Sequence, residues 1–237
     1  MITETATPVV IIWKMTDSSA NTQSIPIWLI LVIATAAGLG AYLGQLYWSP
    51  RDAATDGFAP ISASGQFLRY PQPKQINPVV LQGGDGNAFP VEQLKGRWSL
   101  VFFGFTHCPD ACPTALATLK AVSDKWAELP LERQPQVLFV SVDPERDSPE
   151  VLQRYVHFFN PDFLTATADH SVMLPWTRSL GVVYEQVAGT EGSDYSVDHS
   201  TSILVFDPEL NMVGMLRPPH TPAQILEDLQ PILQLTP

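Results

Sequence analysis

The chain is 237 residues long, enough for a sizeable core, and only 16% of its residues are charged, against roughly 25% in an average soluble protein. Its 24 acidic and 13 basic residues give a net charge of −11, which lacks the basic footprint of a nucleic-acid binder and excludes that class. Two cysteines are too few for a disulfide-stapled scaffold or a four-cysteine zinc site.

Residues 1–24 read as a short N-terminal tail, with Lys14 alone against Glu4 and Asp17. Residues 25–48 follow without a single charge. As a helix this run is about 36 Å long, enough to cross a hydrocarbon core of about 30 Å with some tilt. Pro26 falls in the first turn, and Trp28, Tyr42, Tyr47 and Trp48 lie towards the ends as an aromatic belt. Ala34-Thr35-Ala36 resembles a leader-peptidase site, but the basic leader region is poor and the apolar run continues past it. The expectation is one uncleaved transmembrane helix. Lys14 and Arg51 flank it equally, so charge does not orient it. Residues 49–73 carry Pro50, Pro60, Pro71 and Pro73 and read as an extended tether.

Residues 74–237 read as one globular domain. Trp98–Phe105 is a continuous apolar run, the pattern of a strand covered on both faces. A helix over Pro113–Leu129 follows, with Leu119, Val122, Trp126 and Leu129 at helical spacing and Pro113 at its first position. Gln136–Val142 is a second buried strand. Ser148-Pro149-Glu150 opens a helix to about Phe159. Phe163–Thr167 is a short strand and Ser171–Leu180 a helix. Val187–Tyr195 is polar and glycine-containing and reads as a mobile loop. Ser202–Phe206 and Met212–Leu216 flank a hairpin turn, with Asn211 as its positive-φ residue. Thr221-Pro222 caps a last helix that Pro231 kinks or ends. The order β-α-β-α, hairpin, helix predicts an α/β fold: a central mixed sheet with helices on both faces, the element order of a thioredoxin-like domain.

The chemistry gathers at Cys108 and Cys112, between a buried strand and a helix N-terminus. The unsatisfied N–H groups there favour thiolate over thiol. Thiolate is both nucleophile and metal ligand. Three residues separate the cysteines, one more than in a thioredoxin-type oxidoreductase, although a disulfide stays within reach. Two thiolates are half of a soft metal site, so a metal needs a further donor from the five histidines. His107, His157, His170 and His220 read as structural. His199 precedes the strand Ser202–Phe206, and in a thioredoxin-like sheet that loop faces the cysteine pair. Asp198 could orient His199, Asp110 could tune the cysteines, and Asp143 shapes a nearby loop; each reads equally as a turn or surface acid. Phe102, Phe103, Phe105 and Trp126 are core residues.

FGFTHCPDACP over Phe103–Pro113, VSVDPERD over Val140–Asp147 and VDHS over Val197–Ser200 together resemble the Sco/SenC family. These are membrane-anchored thioredoxin-like proteins that deliver copper to cytochrome c oxidase. The resemblance runs from about Gly83 to Leu235 and matches the anchor-and-tether layout. It implies one copper per chain, Cu(I) or Cu(II), on Cys108, Cys112 and His199. It implies delivery to the dinuclear Cu-A centre of the oxidase's copper-bearing subunit. A periplasmic copper donor and a thiol reductant are further partners it implies. The location would be the outer face of a bacterial plasma membrane, on a single helix, which agrees with a tail unlike a transit peptide. Two thiolates and an imidazole suit copper; zinc accepts the same donors but ranks below copper in affinity. The alternative is a membrane-tethered thiol–disulfide oxidoreductase acting on the oxidase cysteines through the Cys108/Cys112 pair.

Overall fold

The structure, a computed structural model, describes residues 26–48, 59–60, 65–188 and 195–233. The expected tail, residues 49–58 and 61–64 of the expected tether, and residues 189–194 of the expected loop lie outside the described residues. The chain divides into two units, residues 1–53 and 54–237.

The first unit holds α1 (Ile27–Trp48), which contains no acid or base in its terminal turns. Its side chains are described from Ile27 to Leu43, and all are exposed apolar or small groups apart from Thr35 and Tyr42. Thr35 donates its hydroxyl back to the Leu31 and Val32 carbonyls, so the one hydroxyl at mid-helix is satisfied internally. Among the described residues no helix is long and apolar enough to cross a membrane.

The second unit is a mixed α/β domain. Its elements are β1 (Ala59–Pro60), β2 (Phe67–Gln75), β3 (Val80–Gly83), β4 (Ala88–Pro90), β5 (Ser99–Gly104), α2 (Ala111–Trp126), β6 (Gln136–Ser141), α3 (Pro149–His157) and β7 (Leu164–Thr167). Then come α4 (His170–Ser179), β8 (Tyr184–Ala188), β9 (Tyr195–His199), β10 (Ile203–Phe206), β11 (Asn211–Leu216) and α5 (Pro222–Leu233). Nine strands form one sheet in the order β1-β2-β11-β10-β5-β6-β7-β3-β4, and β8 and β9 form a separate hairpin.

Every residue of β5 is buried, because the strand is central and both faces of the sheet are covered there. It pairs in parallel with β6, which pairs in parallel with β7, and antiparallel with β10. The core is built on Phe102, Phe103, Phe139, Phe206, Leu116 and Leu119, all fully buried. α3 begins as expected: Ser148 accepts from the Val151 N–H and Pro149 takes the first turn. α5 is likewise capped, by the Thr221 hydroxyl accepting from the Gln224 N–H.

Three expectations need correction. The globular unit takes in part of the expected tether, because β2 pairs with β11 over Phe67–Gln75 and buries Phe67. Pro71 and Pro73 fall where the register shifts, between the Arg69–Gly214 and Lys74–Met212 pairs, so no ladder donor is missed. Gly214 allows that approach, since a Cβ there would collide with the Leu68 carbonyl. In the β10–β11 turn the positive-φ residue is Leu210 (φ 69°) and not Asn211. Asn211 instead donates its backbone N–H (2.7 Å) and its amide to the Asp207 carboxylate. Pro231 lies inside α5, which continues to Leu233, so of the two expected effects it does not end the helix.

Candidate metal centre

β5 runs out at Gly104, and the chain turns through Phe105–Asp110 into α2. The helix starts at Ala111, two residues before the expected Pro113, with Asp110 at its N-cap. Cys112 therefore sits in the first helical turn, fully buried, while Cys108 is half-buried in the preceding loop. Both are free. The Cys112 backbone N–H donates to Cys108 Sγ at 3.4 Å, so the sulfur satisfies one of the helix's orphan donors.

That arrangement splits the two thiols. The Cys108 pKa falls well below the usual thiol range, first through a hydrogen bond from the Cys112 side chain, against the opposing effect of burial, with further help from His199 and the Cys112 and Asp110 backbone N–H groups. Cys112 is driven up, first because it supplies that hydrogen bond and then by burial. This hydrogen bonding favours the thiolate at Cys108 and the thiol at Cys112.

Room for the Cys112 sulfur depends on Gly104. A Cβ at this position would stand 2.7 Å from Cys112 Sγ and 2.9 Å from the Phe139 ring. Gly104→Ala is expected to displace the sulfur and destabilise the domain by about 1–3 kcal/mol, the usual range for overpacking. Denaturant unfolding measures the destabilisation, and altered thiol reactivity of Cys112 reports the displacement.

His199 is the last residue of β9, opposite Tyr184 in the hairpin. The expected loop preceding β10 is thus a strand end. Its Nε2 lies 3.6 Å from Cys112 Sγ, and its Nδ1 lies 3.0 Å from the Ser200 carbonyl. With Nδ1–H donating to that carbonyl, Nε2 is the ring nitrogen that faces the sulfurs. The imidazole stands edge-on to Phe105 at 5.7 Å and to Phe102 at 6.2 Å. Cys108, Cys112 and His199 each offer an atom within 4.8 Å of the others.

The other histidines do not join this group. His157 meets the Phe163 carbonyl and His220 the Thr201 carbonyl, and burial holds the His220 pKa down. His170 begins α4 and meets the Tyr184 hydroxyl at 2.8 Å and Glu145 at 3.0 Å. His107 is exposed and meets the Thr106 hydroxyl. It also lies close to Asp143 and Asp147, but both acids are engaged with other donors. Asp198 is exposed, and the Nδ1 acceptor is the Ser200 carbonyl in its place. Asp110 accepts from the Thr114 hydroxyl as a cap residue. Asp143 is fully buried and accepts from Arg146 and Tyr195, each at 2.6 Å.

Sequence reasoning did not single out Gly104, Arg146, Asp147 or Tyr195. The signal for two of them was present in VDPERD, a charged run directly after a buried strand, where solvated charges are out of place. Gly104 carried the other signal, a glycine closing an otherwise bulky apolar strand.

The SCO1/SenC family model matches residues 71–234. A SCO2-like protein of Rickettsia felis is 30% identical over 217 residues, covering 88% of this chain and 98% of that protein. The crystal structure of Arabidopsis thaliana ScoI with copper bound is similar at 34% identity and a TM-score of 0.61, covering 67% of this chain and 95% of that one. Yeast Sco1 with copper bound is similar at 29% identity and a TM-score of 0.63, covering 70% of this chain and 91% of that one. A match over that much of the domain, with the two cysteines and the histidine converging inside it, shows that the chain belongs to the SCO1/SenC family.

Proposed function

We propose that this chain is a copper metallochaperone that holds one copper on Cys108, Cys112 and His199. The carrying observation is the convergence of two sulfurs and an imidazole nitrogen within 4.8 Å, with Nε2 already turned inwards. Such a donor set suits Cu(I) with three ligands and Cu(II) with a fourth ligand or water. The copper-bound relatives from Arabidopsis thaliana and yeast support the same cargo. The family resemblance supports delivery to the dinuclear Cu-A centre of cytochrome c oxidase through its copper-bearing subunit. A periplasmic copper donor would load the site and a thiol reductant would keep it reduced. In this reading the charge-free run of residues 25–48 anchors the chain to a bacterial plasma membrane, and the domain lies on the outer side. The chain then acts by transfer of cargo and not by turnover of a substrate.

The decisive test compares the reduced full-length chain, purified in mild detergent, with its His199→Ala variant. The expected result is one copper per chain and a thiolate–Cu(II) charge-transfer band. His199→Ala should lose that band and weaken Cu(II) binding beyond the ~10–100-fold typical of losing an outer-shell partner. Unchanged copper binding in the variant would remove His199 from the site.

One observation favours a second reading, thiol–disulfide exchange on the oxidase cysteines. The half-exposed Cys108 is the thiolate and Cys112 the buried thiol, which orders the attack. Cys108 Sγ would attack a substrate disulfide and release one substrate thiolate. Cys112 would then lose its proton, attack Cys108 and release the second, leaving a Cys108–Cys112 disulfide and a substrate reduced by two electrons. Reductase activity that survives in copper-free His199→Ala would favour this reading.

A further inference from the structure

Among the described residues, the hairpin that carries His199 shares no ladder with the main sheet. Beyond its short connection to β10, side-chain contacts place it against the cysteines. The strongest of these are at the start of β9. The Tyr195 hydroxyl donates to Asp143 Oδ1 at 2.6 Å, and Arg146 Nε donates to Asp143 Oδ2 at 2.6 Å. Arg146 Nη1 donates to the Tyr195 carbonyl at 3.1 Å, and the guanidinium lies 3.7 Å from the centre of the Tyr195 ring. The same guanidinium lies 5.8 Å from the centre of Phe105, the ring that stands edge-on to His199.

The base of this cluster is buried and fully hydrogen-bonded at Asp143 and Asp147. Asp143 is fully buried, and its backbone N–H donates to the Ser141 hydroxyl. Ser141 donates to Asp147, which also accepts from the Thr106 backbone N–H. One hydrogen-bonded framework therefore holds the cysteine loop on one side and the hairpin on the other. Arg146 balances the buried charge of Asp143. Burial and the Asp143 carboxylate push the Tyr195 hydroxyl up to about 12, which keeps it a donor across the physiological range.

We propose that Asp143, Arg146 and Tyr195 form a latch that holds the His199 hairpin against the cysteine loop and so sets how fast copper leaves the site. They are positioning residues, acting through His199 without touching the metal. The proposal rests on the three-ligand copper reading above.

The test measures Cu(II) release from the full-length chain to a chromophoric chelator, followed by the absorbance of the chelator's own copper complex, which reads every variant alike. Tyr195→Phe removes one hydroxyl and keeps the ring on Arg146, so the fold is retained; a thermal midpoint close to the parent's verifies this. Release is expected to accelerate ~10–100-fold, the scale of an outer-shell loss. Made on a His199→Ala background, the same change should alter release of any copper held by the cysteines by less than about two-fold, because the latch has nothing left to position. Equal acceleration in both backgrounds would mean general loosening and would overturn the latch. So would parent-like release from Tyr195→Phe. A His199→Ala chain that holds copper as tightly as the parent would overturn the site itself, and the latch with it.

Discussion

Replacing Cys112 with alanine is expected to raise the Cys108 pKa towards its ordinary range and to abolish stoichiometric copper binding. The first effect follows from the largest cause of the Cys108 depression, the hydrogen bond from the Cys112 side chain. Without it the Cys108 sulfur keeps only weaker support from His199 and the helix N–H groups. The second follows because a cysteine and a histidine alone make a poor copper site. Folding should be little affected, since the change removes one buried atom, worth about 1 kcal/mol on the scale of a methylene. Ultraviolet titration of the thiolate and copper titration against a Cu(I) chelator read the two effects separately. A Cys108 that stays ionised in the variant would show that His199 and the helix N–H groups are together sufficient. The unmodified chain offers a linked check. Because the Cys108 pKa is lowered and that of Cys112 raised, Cu(I) binding at neutral pH is expected to release one proton, from Cys112, where two ordinary thiols would release two.

What was legible in the sequence had strong local causes. β5 and β6 are apolar throughout because both faces are covered, and α3 carries its cap residues in consecutive positions. The cysteine pair was legible because four-residue spacing across a helix start brings two sulfurs together with no help from the rest of the fold. Less could be read where distant pairing overrides local preference. β2 contains two prolines, which argue against a strand, and only its register shift accommodates them. β8 and β9 bury little besides Tyr184 and Val197, so their alternation is too weak to separate them from a polar loop. His199 was identified, but as a loop residue, and the Tyr195 end of its strand was not seen as support. The Tyr195–Asp143 hydrogen bond spans 52 positions, and neither motif predicts it alone. Leu210 took the positive φ because Asn211 was already committed to Asp207.

Asp147→Ala is expected to destabilise the domain more than any substitution at the metal ligands. The carboxylate is fully buried and accepts three hydrogen bonds, from the Thr106 backbone N–H at 2.9 Å, the Thr106 hydroxyl at 2.5 Å and the Ser141 hydroxyl at 2.6 Å. Short hydrogen bonds to a charged acceptor are the strong kind. Removing the acceptor leaves up to three donors at a buried site, each costing about 1–3 kcal/mol if unpaired. A loss of about 3 kcal/mol or more is therefore expected in denaturant unfolding of the reduced, copper-free chain. Asp147→Asn keeps the shape and one acceptor oxygen but turns an N–H₂ group towards hydroxyl donors, so it should fall between parent and alanine. Copper retention should decline in the same order, because Thr106 lies two residues before Cys108 and Ser141 also holds the backbone of Asp143. A loss of under about 1 kcal/mol in Asp147→Ala would mean that water replaces the carboxylate. The buried framework would then not be what keeps the cysteine loop and the His199 hairpin in register. A large loss with unchanged copper retention would separate the two roles, leaving Asp147 to the stability of the fold and the placement of His199 to Asp143, Arg146 and Tyr195.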